Sequence, residues 1–432
     1  MIFAADQQKQ RLKWAFESCK NGAWGNEPDG EDDAVCVRAA DFDGQSGRLN
    51  DGERTLRSVD AATFKKVALR PGDLVMEKSG GGEKQLVGRT VVFKDERPSV
   101  CSNFLARCRP VNNIDPAYLN YLMLAIYVGR GTYPHIKQST GIQNLDLGSY
   151  LDVRVSIPDL PVQQRIARFL DEKTARIDAL IEKKQALLER LSEKRQALIT
   201  RAVTKGLNPD VAMKPSGVDW LGDVPSHWNL VPFKWSCRVR SGQVDPRDEL
   251  YSDLPLVAPD HIESASGRIA HEVQSAEEQG AISGKYLCQP GDVIYSKIRP
   301  SLRKVAQCNQ LSLCSADMYA INVGEKLDRD FIFYFLLTDA FTFYAELESM
   351  RVAMPKVNRE ALGAFVLPLP PNSEQHAIAQ TCADVDANER KQSDLVRASL
   401  ERLAEYRSTL ITAAVSTQPV EVGEDVSMGG DS

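Results

Sequence analysis

LLERLSEKRQALITRAVTKG, the stretch from Leu187 to Gly206, decides how this chain is built, because the chain writes it twice. From Ser399 to Gln418 it reads SLERLAEYRSTLITAAVSTQ. At an offset of 212, 11 of the 16 positions from Leu188 to Val203 carry the same residue, where unrelated segments would share about one. Leu188, Glu189, Arg190 and Leu191 return as Leu400, Glu401, Arg402 and Leu403, and Leu198, Ile199 and Thr200 return as Leu410, Ile411 and Thr412. This is an internal duplication, and the function must have a use for two copies.

The stretch lies in a longer helical pattern. Ile166, Leu170, Ile177, Ile181, Leu188, Leu191 and Leu198 recur at a spacing near 3.5, interrupted by Lys184 and Arg195. That period predicts a short, impure coiled-coil seam. The helix is expected from near Val162 to Lys205, stopped by Gly206 and Pro209, and roughly 60 Å long at 1.5 Å per residue. Its expected partner is the sister helix, from roughly Glu374 to Ser416, lying antiparallel. In that pairing Ile177, Ile181, Leu188, Leu191 and Leu198 face Leu400, Leu403 and Leu410.

Upstream of each long helix the same order of pieces recurs. SGR at Ser46–Arg48 returns at Ser266–Arg268, PGD at Pro71–Asp73 at Pro290–Asp292, and CS at Cys101–Ser102 at Cys314–Ser315. Strand-like runs such as AVCVRAADFDGQSGRL, VALRPGDLVMEKSGGG and LVGRTVVF alternate with turns. DPAYLNYLMLAIYV reads as a helix capped by Asp115, with LDRDFIFYFLL as its counterpart. YLDVRVSIPDLP reads as a further strand leading into the first long helix. The expected fold class is α/β (α+β), with two similar globules separated by two long antiparallel coiled-coil helices in a pseudo-twofold repeat. The expected boundaries are 1–160, 161–205, 206–370, 371–416 and an acidic, disordered tail at 417–432.

Totals exclude several classes. At 432 residues the chain exceeds one ordinary core, and its 43% hydrophobic and 26% charged residues are those of a globular protein. The net charge is −6, of which the stretch Glu421–Ser432 supplies −4, leaving −2 on the rest. A basic face fits within such a total. Nine cysteines form no CxxC pair and the five histidines are scattered, so no metal-ligand spacing occurs. The N-terminus lacks a signal-peptide apolar region, and the runs Tyr118–Val128 and Phe331–Leu337 fall far short of a membrane span. The expected location is cytoplasmic.

Two diverged globules with nearly copied helices suit a ligand with two unlike, separated sites, and bipartite DNA is the candidate. LPVQQRIARFLDEKTARIDALIEKKQALLERLSEKRQALITRAVTKGLNP, followed by KPSGVDWLGDVPSHWNLVPFKW, closely resembles the central conserved region of type I restriction-modification specificity subunits. PLPPNSEQHAIAQ with LERLAEYRSTLITAAV is similar to that family's second conserved region. The resemblance implies two target-recognition domains on an antiparallel helical spacer that sets the gap between half-sites. It implies docking of two modification subunits, which bind S-adenosylmethionine and methylate adenine N6. Restriction subunits would add ATP- and Mg-dependent translocation and cleavage. The chain departs from the pattern in lacking a copy of SGVDWLGDVPSHW before RLKWAFE, which leaves the start of the first recognition domain open.

No catalytic motif accompanies this architecture. GGGEKQLVGRT has five residues between Gly82 and Gly88 and arginine at Arg89, so it departs from a phosphate-binding loop. No amino-methyltransferase NPPY or DPPY motif and no helix-opening GxGxxG occurs. The chain therefore reads as non-catalytic, with no cofactor or metal of its own. A fused restriction or methyltransferase enzyme and a coiled-coil scaffold without DNA readout are the alternatives. The DNA contacts expected in the first globule are Lys78, Ser79, Lys84, Arg89, Tyr133, His135, Lys137 and Gln138. In the second they are Lys297, Arg299, Arg303 and Lys304, four bases in eight residues, with Arg351 and Lys356. Arginine suits guanine O6 and N7, lysine suits phosphate. Each of these also has a bland reading as a solvated loop residue. The first long helix carries ten basic against six acidic residues over 161–204, read as a solvated face with partner docking.

Overall fold

The computed structural model describes residues 9–31, 33–44, 46–81, 85–139, 141–270, 272–350 and 356–416. Lys84, Arg351 and the acidic tail lie outside the described residues. The chain forms two compact units. One runs to Lys184 and resumes at Ala398; the other is Gln185–Arg397. The division falls inside both long helices, so each unit holds a globule and a piece of each helix.

In the first unit, strands β1 (Phe16–Asn21), β2 (Asp33–Val37), β3 (Thr55–Ser58), β4 (Leu74–Glu77), β5 (Ser79–Gly80), β6 (Thr90–Val92), β7 (Ser99–Cys101) and β8 (Leu105–Pro110) precede helix α1 (Pro116–Val128). A hairpin of β9 (Ile136–Ser139) and β10 (Ile142–Leu145) follows, then the long helix α2 (Leu160–Lys205). Between hairpin and helix the expected strand is reduced to Arg154–Val155, cut short by Pro158 and Pro161. The main sheet has the antiparallel order β1-β8-β4-β6. A second sheet, β3-β2-β7, contains the parallel pair β2/β7.

The second unit repeats this plan in β11 (Cys237–Val239), β12 (Gln243–Val244), β13 (Leu256–Val257), β14 (Lys285–Cys288), β15 (Val293–Ser296), β16 (Val305–Gln307), β17 (Ser312–Cys314) and β18 (Met318–Val323). Its main sheet, β11-β18-β15-β16, has the same order position by position, and β13/β17 is again the parallel pair. Helix α3 (Arg329–Leu336) corresponds to α1. Where the first unit then forms its hairpin, the second forms helix α4 (Asp339–Ser349), before the last long helix α5 (Asn372–Ser416).

The repeated motifs recur because each does the same physical work in both units. Asp115 and Asp328 cap α1 and α3 through their carboxylates. Gln163, near the start of α2, accepts from the Asp115 N–H and donates to Asn113 and Pro158 carbonyls. Gln375, near the start of α5, accepts from the Asp328 N–H and donates to Lys326 and Pro370 carbonyls. Both glutamines are buried, so the capped helix and the long helix are tied together inside each unit. Asp73 and Asp292 of the PGD turns are also buried. They close their turns onto the N–H of Arg70 and Gln289, and pair with Arg109 and Arg240.

The long helices run antiparallel within each unit. In the first, Arg407 of α5 meets Asp178 of α2, while Ile411 and Val415 share a core with Leu170 and Ala167. In the second, Arg195 of α2 meets Asp386 of α5, while Ile199 and Val203 share a core with Cys382 and Ile378. Ile177 is buried on this seam, and Ile181, Leu188, Leu191, Leu400, Leu403 and Leu410 are partly buried. Leu198 corrects the expected register: it is 42% exposed and Ile199 is buried instead. From Arg195 the seam steps by four, not three, because a straight helix turns once per 3.6 residues and drifts off a 3.5 repeat.

Candidate nucleic-acid interface

In the first unit β5 extends the β9/β10 hairpin into a three-stranded ribbon, in the order β9-β10-β5. Its register sets Lys137 opposite Asn144, and Asn144 opposite Ser79. Directly opposed residues share a face. These three therefore form one polar row, on a face where Lys137 and Asn144 are exposed. Ser79 Oγ lies 2.7 Å from Asn144 Oδ1, and Lys137 Nζ lies 2.7 Å from Asp146. The Lys137 ammonium is the main reason that the Asp146 carboxyl is held below the usual carboxylate range. Gln138, opposite Gln143, lies on the other face but is exposed at the hairpin end. Tyr133 precedes the ribbon, exposed, with the Arg130 guanidinium 5.5 Å above its ring. His135 Nδ1 is 2.6 Å from Ser149 Oγ.

One other expected contact, Arg89, serves the globule itself. Arg89 is bound at 2.9 Å to buried Glu77, with its guanidinium over Phe42. Turning it to a nucleic acid would leave Glu77 buried and unpaired, a cost of about 3–5 kcal/mol. Lys78 is half-buried, and its N–H donates to the Phe104 carbonyl.

The second unit builds its face differently. Arg299 and Arg303 flank a short turn, Pro300–Leu302, both in the left-handed backbone region at φ 48°. Arg299 is exposed, whereas Arg303 is paired with Asp339. Lys297 Nζ donates to the Ala316 carbonyl at 2.5 Å and lies over Tyr319; Lys304 Nζ donates to the Pro259 carbonyl at 2.5 Å. Ile298 bridges Lys356, which is exposed. The dense basic segment therefore offers one cation outward, Arg299, with Lys356 beside it at the isolated bridge to Ile298.

The two faces occupy equivalent positions. The Lys78 carbonyl accepts from the Leu145 N–H, and the Lys297 carbonyl from the Val357 N–H. Lys356 thus stands where Asn144 stands in the first unit. Asn144 is invisible in the sequence because IQNL carries no charge or aromatic signal. Asn103 and Phe104 were missed too, although they come directly after the repeated CS pair; aligning the residues beyond the two CS pairs would have found them.

Behind each face the SGR turn grips both long helices. Arg195 donates to the Ala265 and Ser266 carbonyls at 3.1 Å as well as to Asp386. Arg407 donates to the Ser46 carbonyl at 2.9 Å and to Asp178. The middle residue of each turn must be glycine. Gly47 and Gly267 have φ near 75°, and a Cβ there would lie 2.8 Å from the Asn120 amide and 2.4 Å from the Phe333 ring.

Among the described residues no group of three or more His, Cys, Asp and Glu is arranged to hold a metal ion, and no helix is long and apolar enough to cross a membrane.

Comparison with known proteins agrees with the duplicated plan. The family described as type I restriction modification DNA specificity domain matches the chain twice, over residues 61–190 and 269–397. The specificity subunit of the type I restriction enzyme EcoDI of Escherichia coli is 31% identical over 268 residues, covering 58% of this chain and 57% of that protein. The chain thus matches little more than half the length of that relative. The MjaVIII specificity subunit of Methanocaldococcus jannaschii is 23% identical over 346 residues, covering 75% of this chain and 74% of its own. A solved structure described as the "structural basis underlying complex assembly and conformational transition of the type I R-M system" shares the fold. Its TM-score is 0.65, over 96% of this chain and 99% of that one, at 16% identity.

Proposed function

Since the chain belongs to the type I restriction modification DNA specificity family, we propose that it is the DNA-specificity subunit of a type I restriction-modification complex. In this reading each unit reads one half of a bipartite double-stranded target, in the cytoplasm, and the chain catalyses nothing itself. The observation that carries it is the pairing of one scaffold with two different faces. The main sheet's strand order, PGD turn, capped helix and helix grip are kept between the units, while Lys137, Asn144 and Ser79 in one give way to Arg299 and Lys356 in the other. Duplicated scaffolds with diverged polar faces fit two unlike half-sites better than a scaffold that only dimerises partners.

Methyl transfer and cleavage then belong to partners. Two modification subunits would bring S-adenosylmethionine, and restriction subunits would bring ATP and Mg. The test is methylome sequencing of a host with and without this gene. The expected result is one bipartite motif, methylated on adenine, that disappears with the gene. The purified chain should transfer no methyl group until modification subunits are added. Robust transfer by the chain alone, or an unchanged methylome, would overturn the reading.

A further inference from the structure

The first unit carries a cleft of about 510 Å³ beside its polar row. Pockets that bury small-molecule ligands span roughly 300–1,000 Å³. Its lining includes Trp24, Arg38, Ser79, Gly80, Asn103 and Phe104. Phe104 is 49% and Trp24 37% exposed, so both rings on this lining are open to solvent. Arg57 stacks on Trp24 at 4.2 Å, which steadies the indole and places a cation beside it. Arg38 reaches Asp41 only at 3.5 Å; its Nε is buried without a hydrogen-bond partner, while 40% of the side chain stays exposed. Ser79 belongs both to this lining and to the row formed with Asn144 and Lys137, so the cleft continues the candidate interface.

The second unit supplies an internal control. Arg38 precedes the turn Ala39–Asp41 after β2; Ala258 precedes the corresponding turn Pro259–His261 after β13. Asn103 and Phe104 lie between β7 and β8; Ala316 and Asp317 lie between β17 and β18. Positions that hold the fold, such as Gln163 and Gln375 or Asp73 and Asp292, are the same in both copies. The aromatic ring, amide and guanidinium of the cleft are not. Their presence in one unit alone points to a ligand rather than to folding.

Resting on the function proposed above, we propose that this cleft receives one nucleobase of the first half-site, drawn out of the base stack. Trp24 and Phe104 hold its faces, and Arg38 donates to an acceptor on its edge. Aromatic rings stack on any base, and a guanidinium selects for acceptor atoms, so together they give preference at one position.

The test uses the full chain assembled with its modification subunits and DNA duplexes randomised in both half-sites. Phe104→Asp, which installs the second unit's residue, and Trp24→Ala should each relax selection at one position of the first half-site by about 10- to 100-fold. Selection in the second half-site should not change. Arg38→Ala, which also takes the ion-pair partner from buried Asp41 and so needs a melt beside it, should relax the same position, and Trp24→Phe should retain it. With 2-aminopurine at that position, the wild type should change its fluorescence on binding and Phe104→Asp should not. Unchanged selection in all three variants would overturn the proposal. So would an even loss at every position with a shallower salt dependence, the mark of a phosphate contact. A wild type that selects nothing in either half-site would instead refute the specificity reading itself.

Discussion

Arg195 has a side chain only 5% exposed, and it holds Asp386 and the Ala265 and Ser266 carbonyls at the SGR turn at once. Arg195→Ala should destabilise the second unit by about 1–3 kcal/mol, because two part-buried carbonyls lose their donor, while Asp386 keeps Arg390 at 3.2 Å and Arg268 at 3.9 Å. Arg407→Ala should cost the first unit less, since Asp178 keeps 31% of its side chain in water. Denaturant unfolding read by a fluorophore in each unit would show this, and equal losses would contradict it. Reversing the pair with Arg195→Asp and Asp386→Arg should not restore stability, because the two carbonyls require a donor on α2. The grip was half legible in the sequence. Arg195 stood out as an interruption of an apolar seam, but nothing local named its partners, which lie 191 and about 70 residues away.

Among elements, the long helices were readable because periodicity is a local signal repeated over many turns. Their boundaries, their capped neighbours and the PGD strands depend on residues within a few positions of one another. The ribbon β9-β10-β5 was not readable as such: KQSTGIQN alternates no apolar residues, and β5 joins it from 65 positions away, the separation of Ser79 and Asn144. The free cations were equally hidden, since whether Arg89 or Arg303 meets water depends on Glu77 and Asp339. The seam gives a direct check of register. Ile199→Ala should cost about 2–5 kcal/mol by opening a cavity in a filled core, whereas Leu198→Ala, half in water, should stay within about 0.5 kcal/mol. Thermal melts of the two variants that came out alike would return Leu198 to the seam.

For the whole molecule, the division into one unbroken unit, Gln185–Arg397, and one unit drawn from two separate stretches of chain has a consequence for synthesis. Domains ordinarily fold in the order in which the ribosome delivers them. Here the globule made first lacks Arg407, Ile411 and Val415, which complete its core, until the second long helix has emerged to its end. The globule made second has its whole core once Arg397 is out. A chain ended at Arg397 should therefore leave a protease-resistant fragment from the second unit while the first is digested, and adding residues 398–416 as a separate peptide should protect the first. Digestion of both units, or of neither, would show that the split carries no such dependence. The half translated first is the half that must wait, so release of an incomplete chain would strand the earlier globule and spare the later one.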